Sequence, residues 1–234
     1  MSRVVMVMGV QRSGTNALFK CLTSGPGVTA LNEAPDNAAF EACDLRPEPA
    51  LRALLQAAPG PVVLKPINES KRRPVAAVLE EFAAHELRAV WIFRDPVNCY
   101  HSHVVRWEGF RDRPEAFAAA WCARNRSALA ALAAHPERLA LVRYEDLVAD
   151  PRVLSDLAAF LGLRGAWLFR ADSRAGRQAL PPEIQRQLEA DTAEVLASLD
   201  SARTFRRADP LPPWPARAWA RARGRWLRGV GFTG

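Results

Sequence analysis

Short apolar runs alternate along this chain with longer segments in which apolar residues recur at helical spacing. The apolar runs are bounded by Gly, Pro or polar residues and lie at 4–10, 28–31, 62–64, 89–93 and 139–142. Continuous apolar runs of this length are typical of buried parallel strands, whose two faces are both covered. Their alternation with helices predicts a three-layer α/β fold, with a central parallel sheet of about four to five strands flanked by helices.

The segments between the strands have apolar residues at helical spacing. Many of them begin with a proline, which suits a first helical turn. We expect helices at 16–22, 49–58, 74–84, 96–106, 114–134, 151–161 and 181–199. The segments 34–47 and 68–73 are mixed or polar in character. We expect both of them to be loops.

Composition favours a globular protein with one domain of generous size. The chain has 234 residues, 49% of them hydrophobic, and we place the domain at 1–210. The sequence has no run of about 18 apolar residues that could span a membrane. Its first residues lead directly into a strand without the pattern of a secretory signal, so we expect a cytoplasmic protein. The four cysteines lack metal-binding spacing, which predicts reduced thiols and no metal.

The net charge of +7 belongs to the end of the chain. Eight arginines and one acid follow Asp200, so the preceding residues are close to neutral. Residues 211–234 form a basic tail rich in Trp and Arg, with a predicted helix at 216–228. Such a segment can lie on an anionic membrane, here at its inner face, or bind another polyanion. The alternative is a solvated helix or one packed on the domain, and we expect no nucleic-acid partner.

The first strand leads into a glycine-bearing turn and a helix start, which together predict a phosphate-binding loop. The loop residues are Gln11, Arg12, Ser13, Gly14, Thr15 and Asn16. Backbone N–H groups and the helix dipole converge on an anion in such a loop. The spacing of Gly9 and Gly14 fits the nucleotide-triphosphate loop, but Thr15 stands where that loop has its lysine. An ordinary strand–turn–helix connection is the alternative.

Charged residues follow four of the predicted strands, namely Glu33, Lys65, Arg94 and Arg143. Ligands of open parallel sheets bind at the carboxyl ends of the strands, so these residues predict a common site. Arg94 can hold a phosphate with its forked guanidinium group. Ser102 lies about two helical turns further on and can add a hydroxyl group to the same anion. A surface arginine beside a helix cap is the alternative.

The R-S-G-T loop at 12–15 and the Arg94–Ser102 spacing resemble the PAPS-dependent sulfotransferases, most closely the tyrosylprotein and bacterial enzymes. The resemblance extends in order over 4–210. It implies a P-loop-type fold whose loop holds the 5′-phosphosulfate of PAPS (3′-phosphoadenosine 5′-phosphosulfate). It further implies that Arg94 and Ser102 hold the 3′-phosphate of this donor, and that no metal takes part.

The same resemblance implies catalytic roles for three residues. Glu33 follows Arg12 at the separation found in tyrosylprotein sulfotransferases, where this glutamate is the general base. Lys65 corresponds to the lysine on the bridging oxygen, and Arg12 completes the catalytic set. The cytosolic small-molecule branch uses a histidine base instead. His101 and His103 are the alternatives of that kind, although they lie within a predicted helix.

Two later segments extend the resemblance. Tyr144, in R-Y-E-D-L, corresponds to a tyrosine near the nucleotide. The segment 173–183 resembles a late basic loop and implies that Arg177 binds the cofactor, with Gln178 where an aromatic residue is usual.

The reaction implied is in-line transfer of the sulfuryl group of PAPS to a hydroxyl group, with PAP (adenosine 3′,5′-bisphosphate) as product. The acceptor can be a sugar, a lipid, a small molecule or a peptide. Two other functions stay open: a P-loop kinase or NTPase with a degenerate loop, and a non-enzymatic nucleotide-binding protein on the same fold. The missing loop lysine argues against the first.

Overall fold

A computed structural model of the protein describes residues 3–34, 37–169 and 180–207. These residues form seven strands: β1 (Arg3–Gly9), β2 (Thr29–Leu31), β3 (Phe40–Glu41), β4 (Asp44–Leu45), β5 (Val62–Leu64), β6 (Glu86–Phe93) and β7 (Leu139–Arg143). They also form the helices α1 (Thr15–Leu22), α2 (Glu48–Ala57), α3 (Ile67–Arg72), α4 (Val75–Glu81), α5 (Pro96–Val104), α6 (Pro114–Ala134), α7 (Tyr144–Ala149), α8 (Pro151–Phe160) and α9 (Pro182–Ala202). The basic tail and Arg177 lie outside the described residues.

The main sheet has five strands in the order β2-β5-β1-β6-β7, and each neighbouring pair is parallel. All five apolar runs predicted as strands are strands of this sheet. The predicted α/β fold, with a parallel sheet flanked by helices, is therefore confirmed. Among the helices of the described segments, none combines the length and apolar character that crossing a bilayer requires.

Side chains of β1 alternate between the two faces of the sheet, as the pleat of a strand requires. Val4, Met6 and Met8 belong to the core under α4, α5, α6 and α9. Val5 and Val7 belong to the opposite core, which α1 and α8 cover. Because both faces are buried, the strand shows a continuous apolar run rather than an alternating one.

One polar contact ties the long helix α6 to the middle of the sheet. Trp91 Nε1, on β6, donates to Asn125 Oδ1 across 2.8 Å, and both side chains are buried. The Asn125 amide also donates to the carbonyl oxygen of Trp121, at 2.9 Å. Partners of this kind remove the cost of burying an indole N–H and an amide.

The prediction of a loop at 68–73 is wrong, because these residues form most of α3. Ile67 and Ser70 are buried, and the Ser70 hydroxyl donates to the Ile67 carbonyl oxygen. Glu69 lies in the first turn and Lys71 in the last, so their charges match the helix dipole. Ile67 is the single apolar residue of α3, so the sequence of this segment shows no helical periodicity that could be detected.

The prediction of a loop throughout 34–47 is also wrong, because β3 and β4 pair as a short antiparallel hairpin. Its turn residues Ala42 and Cys43 have φ values of 50° and 68°. Positive φ at both positions matches a type I′ turn, which usually requires Gly or Asn. The absence of those residues hid the hairpin in the sequence.

The end of β1 approaches β6 so closely that only glycine fits there. A methyl group at Gly9 would lie 2.4 Å from the Ile92 carbonyl oxygen and 2.7 Å from Ser13 Oγ. We predict that Gly9→Ala lowers the free energy of unfolding by about 1–3 kcal/mol, the usual cost of overpacking. Urea denaturation of the purified protein measures this change.

Gly109→Ala is the matched control, because no described atom lies within 4 Å of a methyl group built there. Its free energy of unfolding should stay within about 0.5 kcal/mol of the wild-type value. Equal effects of the two substitutions would contradict the close approach at Gly9.

Candidate functional site

The predicted phosphate loop connects β1 to α1 at the centre of the sheet's carboxyl edge. Ser13 N donates to the Val10 carbonyl oxygen at 3.1 Å, which closes the turn. Arg12 and Gly14 have φ values of 72° and 106°, in the left-handed region. Ser13 is fully buried, and its Oγ has no hydrogen-bond partner among the described residues. An unpaired buried hydroxyl inside such a loop suits an anion that brings acceptor oxygens.

Tyr144, the first residue of α7, packs directly on this loop. A methyl group at Gly14 would lie 2.3 Å from Tyr144 Cδ2, so the ring fixes a glycine at this position. The Arg94 guanidinium lies over the same ring, 4.6 Å from its centroid. The tyrosine therefore holds the loop and the strand-end arginine in one arrangement.

Arg94 follows β6 and is only 5% exposed. Its Nη1 donates to the Arg12 carbonyl oxygen at 3.3 Å, and its Nε lies 3.9 Å from a carboxylate oxygen of Glu145. The next residue, Asp95, caps α5 by accepting from Asn98 N at 2.9 Å. Strand β6 and the cap of α5 thus fix the arginine beside the phosphate loop.

The side chain of Arg12 crosses from the loop to α5. Its Nε donates to Ser102 Oγ at 3.0 Å, and its guanidinium lies 5.4 Å from the centroid of the Trp107 ring. Ser102 is buried, with 4% of its surface exposed. The two elements predicted separately, the loop and the Arg94–Ser102 pair, are therefore in direct contact.

Glu33 and Lys65 follow the adjacent parallel strands β2 and β5. Lys65 N donates to the Leu31 carbonyl oxygen at 3.3 Å, which keeps the two strand ends together. The Lys65 side chain is buried, whereas Glu33 is half-buried. Asn68 N, in the first turn of α3, donates to Glu33 Oε1. The pairing of the two strands therefore places the Glu33 carboxylate and the Lys65 amine near each other.

The environment moves the two pKa values towards each other. Burial raises the pKa of Glu33, and the negative charges of Asp44 and Glu69 add to this, while the Asn68 N–H and the Lys65 charge oppose it. Burial lowers the pKa of Lys65, and the nearby Glu33 carboxylate opposes that shift. Proton exchange at neutral pH is easier for groups whose pKa values lie closer to neutrality.

A hydrogen-bond network that the sequence did not reveal supports Glu33. Asn68 Nδ2 donates to the Cys43 carbonyl oxygen at 3.2 Å and lies 3.4 Å from Asp44 Oδ1. Arg72 Nη1 donates to Asp44 Oδ2 at 2.6 Å. The β3–β4 hairpin and α3 are therefore held together, and the Asn68 N–H is fixed against Glu33. One feature of the sequence pointed to this network: in the polar run 68–72, an acidic residue precedes two basic residues.

Four further predicted residues have contacts or positions of their own. Arg143 is linked to Arg94 only through Glu145, to which its Nε donates at 3.3 Å, while its Nη1 donates to Asp200 at 2.8 Å. Asn16 is exposed on the first turn of α1. The carbonyl oxygen of Gln11 accepts from the Cys99 thiol at 3.2 Å. Thr15 is buried at the N-terminus of α1.

The alternative base His103 is buried among aromatic rings. Its ring centroid lies 4.9 Å from that of Trp107 and 5.1 Å from that of Phe110. Burial lowers its pKa, and the charges of Arg12, Arg124 and Lys71 lower it further.

Within the described segments, no group of three or more His, Cys, Asp or Glu side chains is placed to hold a metal ion.

Comparison with protein families matches residues 75–167 to the model described as the sulfotransferase family. A sulfotransferase from Alicyclobacillus acidocaldarius has a similar structure, with 20% identity and a TM-score of 0.59 over 84% of this chain and 94% of that chain. The sulfotransferase domain from the curacin biosynthetic pathway follows with 18% identity and a TM-score of 0.52, over 97% and 98%. A mouse sulfotransferase, SULT7A1, complexed with PAP has 14% identity and a TM-score of 0.51, over 86% of each chain. A comparison with curated proteins gave no match.

Charged residues near Glu33 act on its pKa, and we predict shifts of opposite direction for two substitutions. Lys65→Met should raise the pKa of Glu33 further, because it removes a positive charge that favours the carboxylate. Asp44→Asn should lower the same pKa, because it removes a negative charge that disfavours the carboxylate. Carbon-13 NMR titration of labelled glutamate side chains measures both shifts, and Glu33→Gln identifies the signal. Shifts in the same direction would contradict the described cluster.

Proposed function

We propose that this chain is a sulfotransferase that transfers the sulfuryl group of PAPS to a hydroxyl group of an acceptor; the family match over 75–167 and the similar fold support this. The observation that carries this proposal is the contact between Arg12 and Ser102 beside Arg94. This contact joins the phosphate loop, which lacks the lysine of NTPases, to a second proposed anion site at the end of the neighbouring strand β6. A donor with phosphates at both its 5′ and 3′ positions fits two adjacent sites of this kind.

The donor side of the site uses the loop and the end of β6. The loop residues Gln11 to Asn16 would hold the 5′-phosphosulfate through backbone N–H groups and the Ser13 and Thr15 hydroxyls. Arg94 and Ser102 would hold the 3′-phosphate. When bound, PAPS supplies an activated sulfuryl group, with PAP as the leaving group. The PAP in the complex of the mouse sulfotransferase supports this choice of donor.

Lys65 provides a positive charge where negative charge develops on the leaving phosphate. Its amine is buried, so water screens it poorly and its field at the reacting atoms is strong. Arg12 adds a second cation from the loop. Both groups are fixed before the donor arrives, by strand pairing and by the Ser102 hydroxyl, respectively.

Glu33 takes the proton from the acceptor hydroxyl as the general base. The Asn68 N–H fixes one of its carboxylate oxygens and leaves the other available for the acceptor. Burial raises its pKa, which makes the carboxylate a stronger base than an exposed one. The proton passes to Glu33 as the hydroxyl oxygen bonds to sulfur and the sulfur–oxygen bond to the leaving phosphate breaks.

Further assignments belong to the same proposal. Tyr144 would lie near the nucleotide, because its ring contacts both the loop and Arg94. Arg177 is proposed as a cofactor contact from the resemblance alone. The cytoplasmic location rests on the free thiols of the described chain, and an anionic membrane contact rests on the composition of the tail.

The direct test of the function is incubation with PAPS and a panel of phenols, alcohols, sugars and peptides, followed by mass spectrometry for sulfated products. PAP formation should depend on the acceptor. PAP and ATP binding by calorimetry should favour PAP. Tight ATP binding with no affinity for PAP would overturn the donor assignment.

Arg94→Lys tests how the 3′-phosphate is bound. The substitution keeps the charge but removes the forked donor pair, so PAP binding should weaken by about 1.5–3 kcal/mol. Binding of 5′-AMP, which lacks the 3′-phosphate, should change little. Calorimetry with the two nucleotides measures the difference. Equal weakening of both would show that Arg94 supports the loop rather than the 3′-phosphate.

Glu33→Gln tests the general base. It keeps the size of the side chain but removes the proton acceptor, so turnover should fall by about 10²–10⁴-fold while PAP affinity is retained. Acceptors of lower pKa, such as nitrophenols, should recover part of the rate because they lose their proton more easily.

Glu108→Gln is a suitable control, since Glu108 is exposed and pairs with Arg111 three residues away. Its turnover should equal that of the wild type. A wild-type rate in Glu33→Gln, with chemistry rate-limiting, would exclude Glu33 as the base and direct attention to His101 and His103.

A further inference from the structure

Glu33 follows β2, the strand at one edge of the main sheet. An edge strand is paired on one side only, so a side chain beyond its end depends on other elements for its orientation. For Glu33 this element is α3, where Asn68 N donates to Glu33 Oε1. The first N–H groups of a helix have no acceptor within it, so this contact costs α3 no helical hydrogen bond. The carboxylate is thereby held by a residue 35 positions further along the chain.

The side chain of Asn68 connects the same residue to the β3–β4 hairpin. Its Nδ2 donates to the Cys43 carbonyl oxygen at 3.2 Å and lies 3.4 Å from Asp44 Oδ1. A primary amide carries two N–H donors, so one group can serve both acceptors. Asn68 therefore links two elements, because its main chain contacts the Glu33 carboxylate and its side chain contacts the turn of the hairpin.

Two further contacts join the hairpin to α3. Arg72 Nη1 donates to Asp44 Oδ2 at 2.6 Å, and Leu45 N donates to Glu69 Oε1 at 3.1 Å. Strands of two residues and a helix of six residues are too short to be stable alone. Each element therefore depends on the other for its conformation, and the hairpin determines where the Asn68 N–H lies.

The proposed donor contacts lie on another part of the sheet's carboxyl edge. They are on the phosphate loop after β1, at Arg94 after β6 and at Ser102 on α5. Glu33 and Asn68 instead follow the neighbouring strands β2 and β5. A substitution at Asn68 should therefore act on the base and leave the donor contacts unchanged.

We propose that Asn68 is the positioning residue of Glu33, and that the β3–β4 hairpin takes part in catalysis by holding Asn68 in place. The Asn68 N–H fixes Glu33 Oε1, so that Oε2 faces the acceptor hydroxyl. This inference rests on the proposed function, because it assigns a role towards the general base of that reaction.

Charged side chains also act on the Glu33 carboxylate. Within the described residues they are Lys65 after β5, Asp44 on the hairpin, and Glu69 and Arg72 on α3. The Asn68 N–H lowers the pKa of Glu33, against the effect of burial. Replacing Asn68 leaves all of these charges in place, so a rise in the Glu33 pKa would report the loss of this one hydrogen bond.

NMR titration of the full-length protein tests the contact without any substrate. The backbone amide proton of Asn68 should shift with the pKa of Glu33, because the carboxylate accepts this proton, and Glu33→Gln should abolish the titration. In Asn68→Ala the carboxyl carbon-13 signal of Glu33 should report a higher pKa. An amide signal that does not follow Glu33, or an unchanged Glu33 pKa in Asn68→Ala, would overturn the proposal.

Kinetic measurements test the role in catalysis. Asn68→Ala should lower kcat about 10- to 100-fold, the scale for a misplaced catalytic group, while the affinity for PAP stays at its wild-type value. Because Asn68 acts through Glu33, the same substitution should cause no further loss of kcat in the Glu33→Gln background. Additive losses, or a matching loss of PAP affinity, would contradict this role.

Ser127→Ala is the matched control. Ser127 Oγ, on α6, accepts from Val75 N at the start of α4 at 2.9 Å, so this substitution also removes one hydrogen bond between two elements. The variant should keep the wild-type Glu33 pKa and kcat. Equal effects of Ser127→Ala and Asn68→Ala would show that both report stability alone, and the positioning role would be wrong.

Arg72→Met tests the part played by the hairpin. It removes the ion pair with Asp44, so kcat should fall about two- to fivefold, less than in Asn68→Ala, because this pair is partly exposed. Lys71→Met replaces the neighbouring exposed cation of α3 and should leave kcat unchanged. A wild-type kcat in Arg72→Met would exclude the hairpin from catalysis.

The two kinds of measurement separate this inference from the proposed function. If the wild-type protein transfers no sulfuryl group from PAPS, the proposed function fails. The NMR titrations of the wild type, Asn68→Ala and Ser127→Ala then still decide whether Asn68 positions Glu33.

Discussion

The parallel pairing of β1 between β5 and β6 is the constraint on which the site depends. In a parallel sheet all strands end at the same edge, so whatever follows each strand meets its neighbours there. The phosphate loop follows β1, Lys65 follows β5 and Arg94 follows β6. Registers that pair Met6 with both Leu64 and Ala89 fix the height of these ends relative to one another.

Neutral groups orient the two arginines at this edge. Arg12 rests on the Ser102 hydroxyl and the Trp107 ring, and Arg94 on the Arg12 carbonyl oxygen and the Tyr144 ring. Glu145 lies further from Arg94, at 3.9 Å. Neutral partners orient a guanidinium group without adding an opposite charge, and this arrangement agrees with the proposal of a donor that carries several negative charges.

The sequence predicted those parts of the protein whose determinants are local. Buried strands are continuous apolar runs, and the loop is marked by Gly9 and Gly14, where packing leaves no room for a side chain. The hairpin and α3 were missed because they are stabilised by contacts between distant segments, such as that of Asn68 with the Cys43 carbonyl oxygen. The ion pair of Arg143 with Asp200 was not predicted for the same reason, since the two residues lie 57 positions apart.

The position of Arg12 and Arg94 at the loop has a consequence for practical work with the protein. A cluster that binds the phosphates of a nucleotide, as proposed, would also take up phosphate or sulfate from a buffer, and any anion that prefers the folded state raises the melting temperature by mass action. Melting temperatures recorded in phosphate and in chloride would then describe different species. Affinity columns that carry phosphate groups should retain the folded protein, and elution with a free nucleotide would then separate it from nonspecifically bound material.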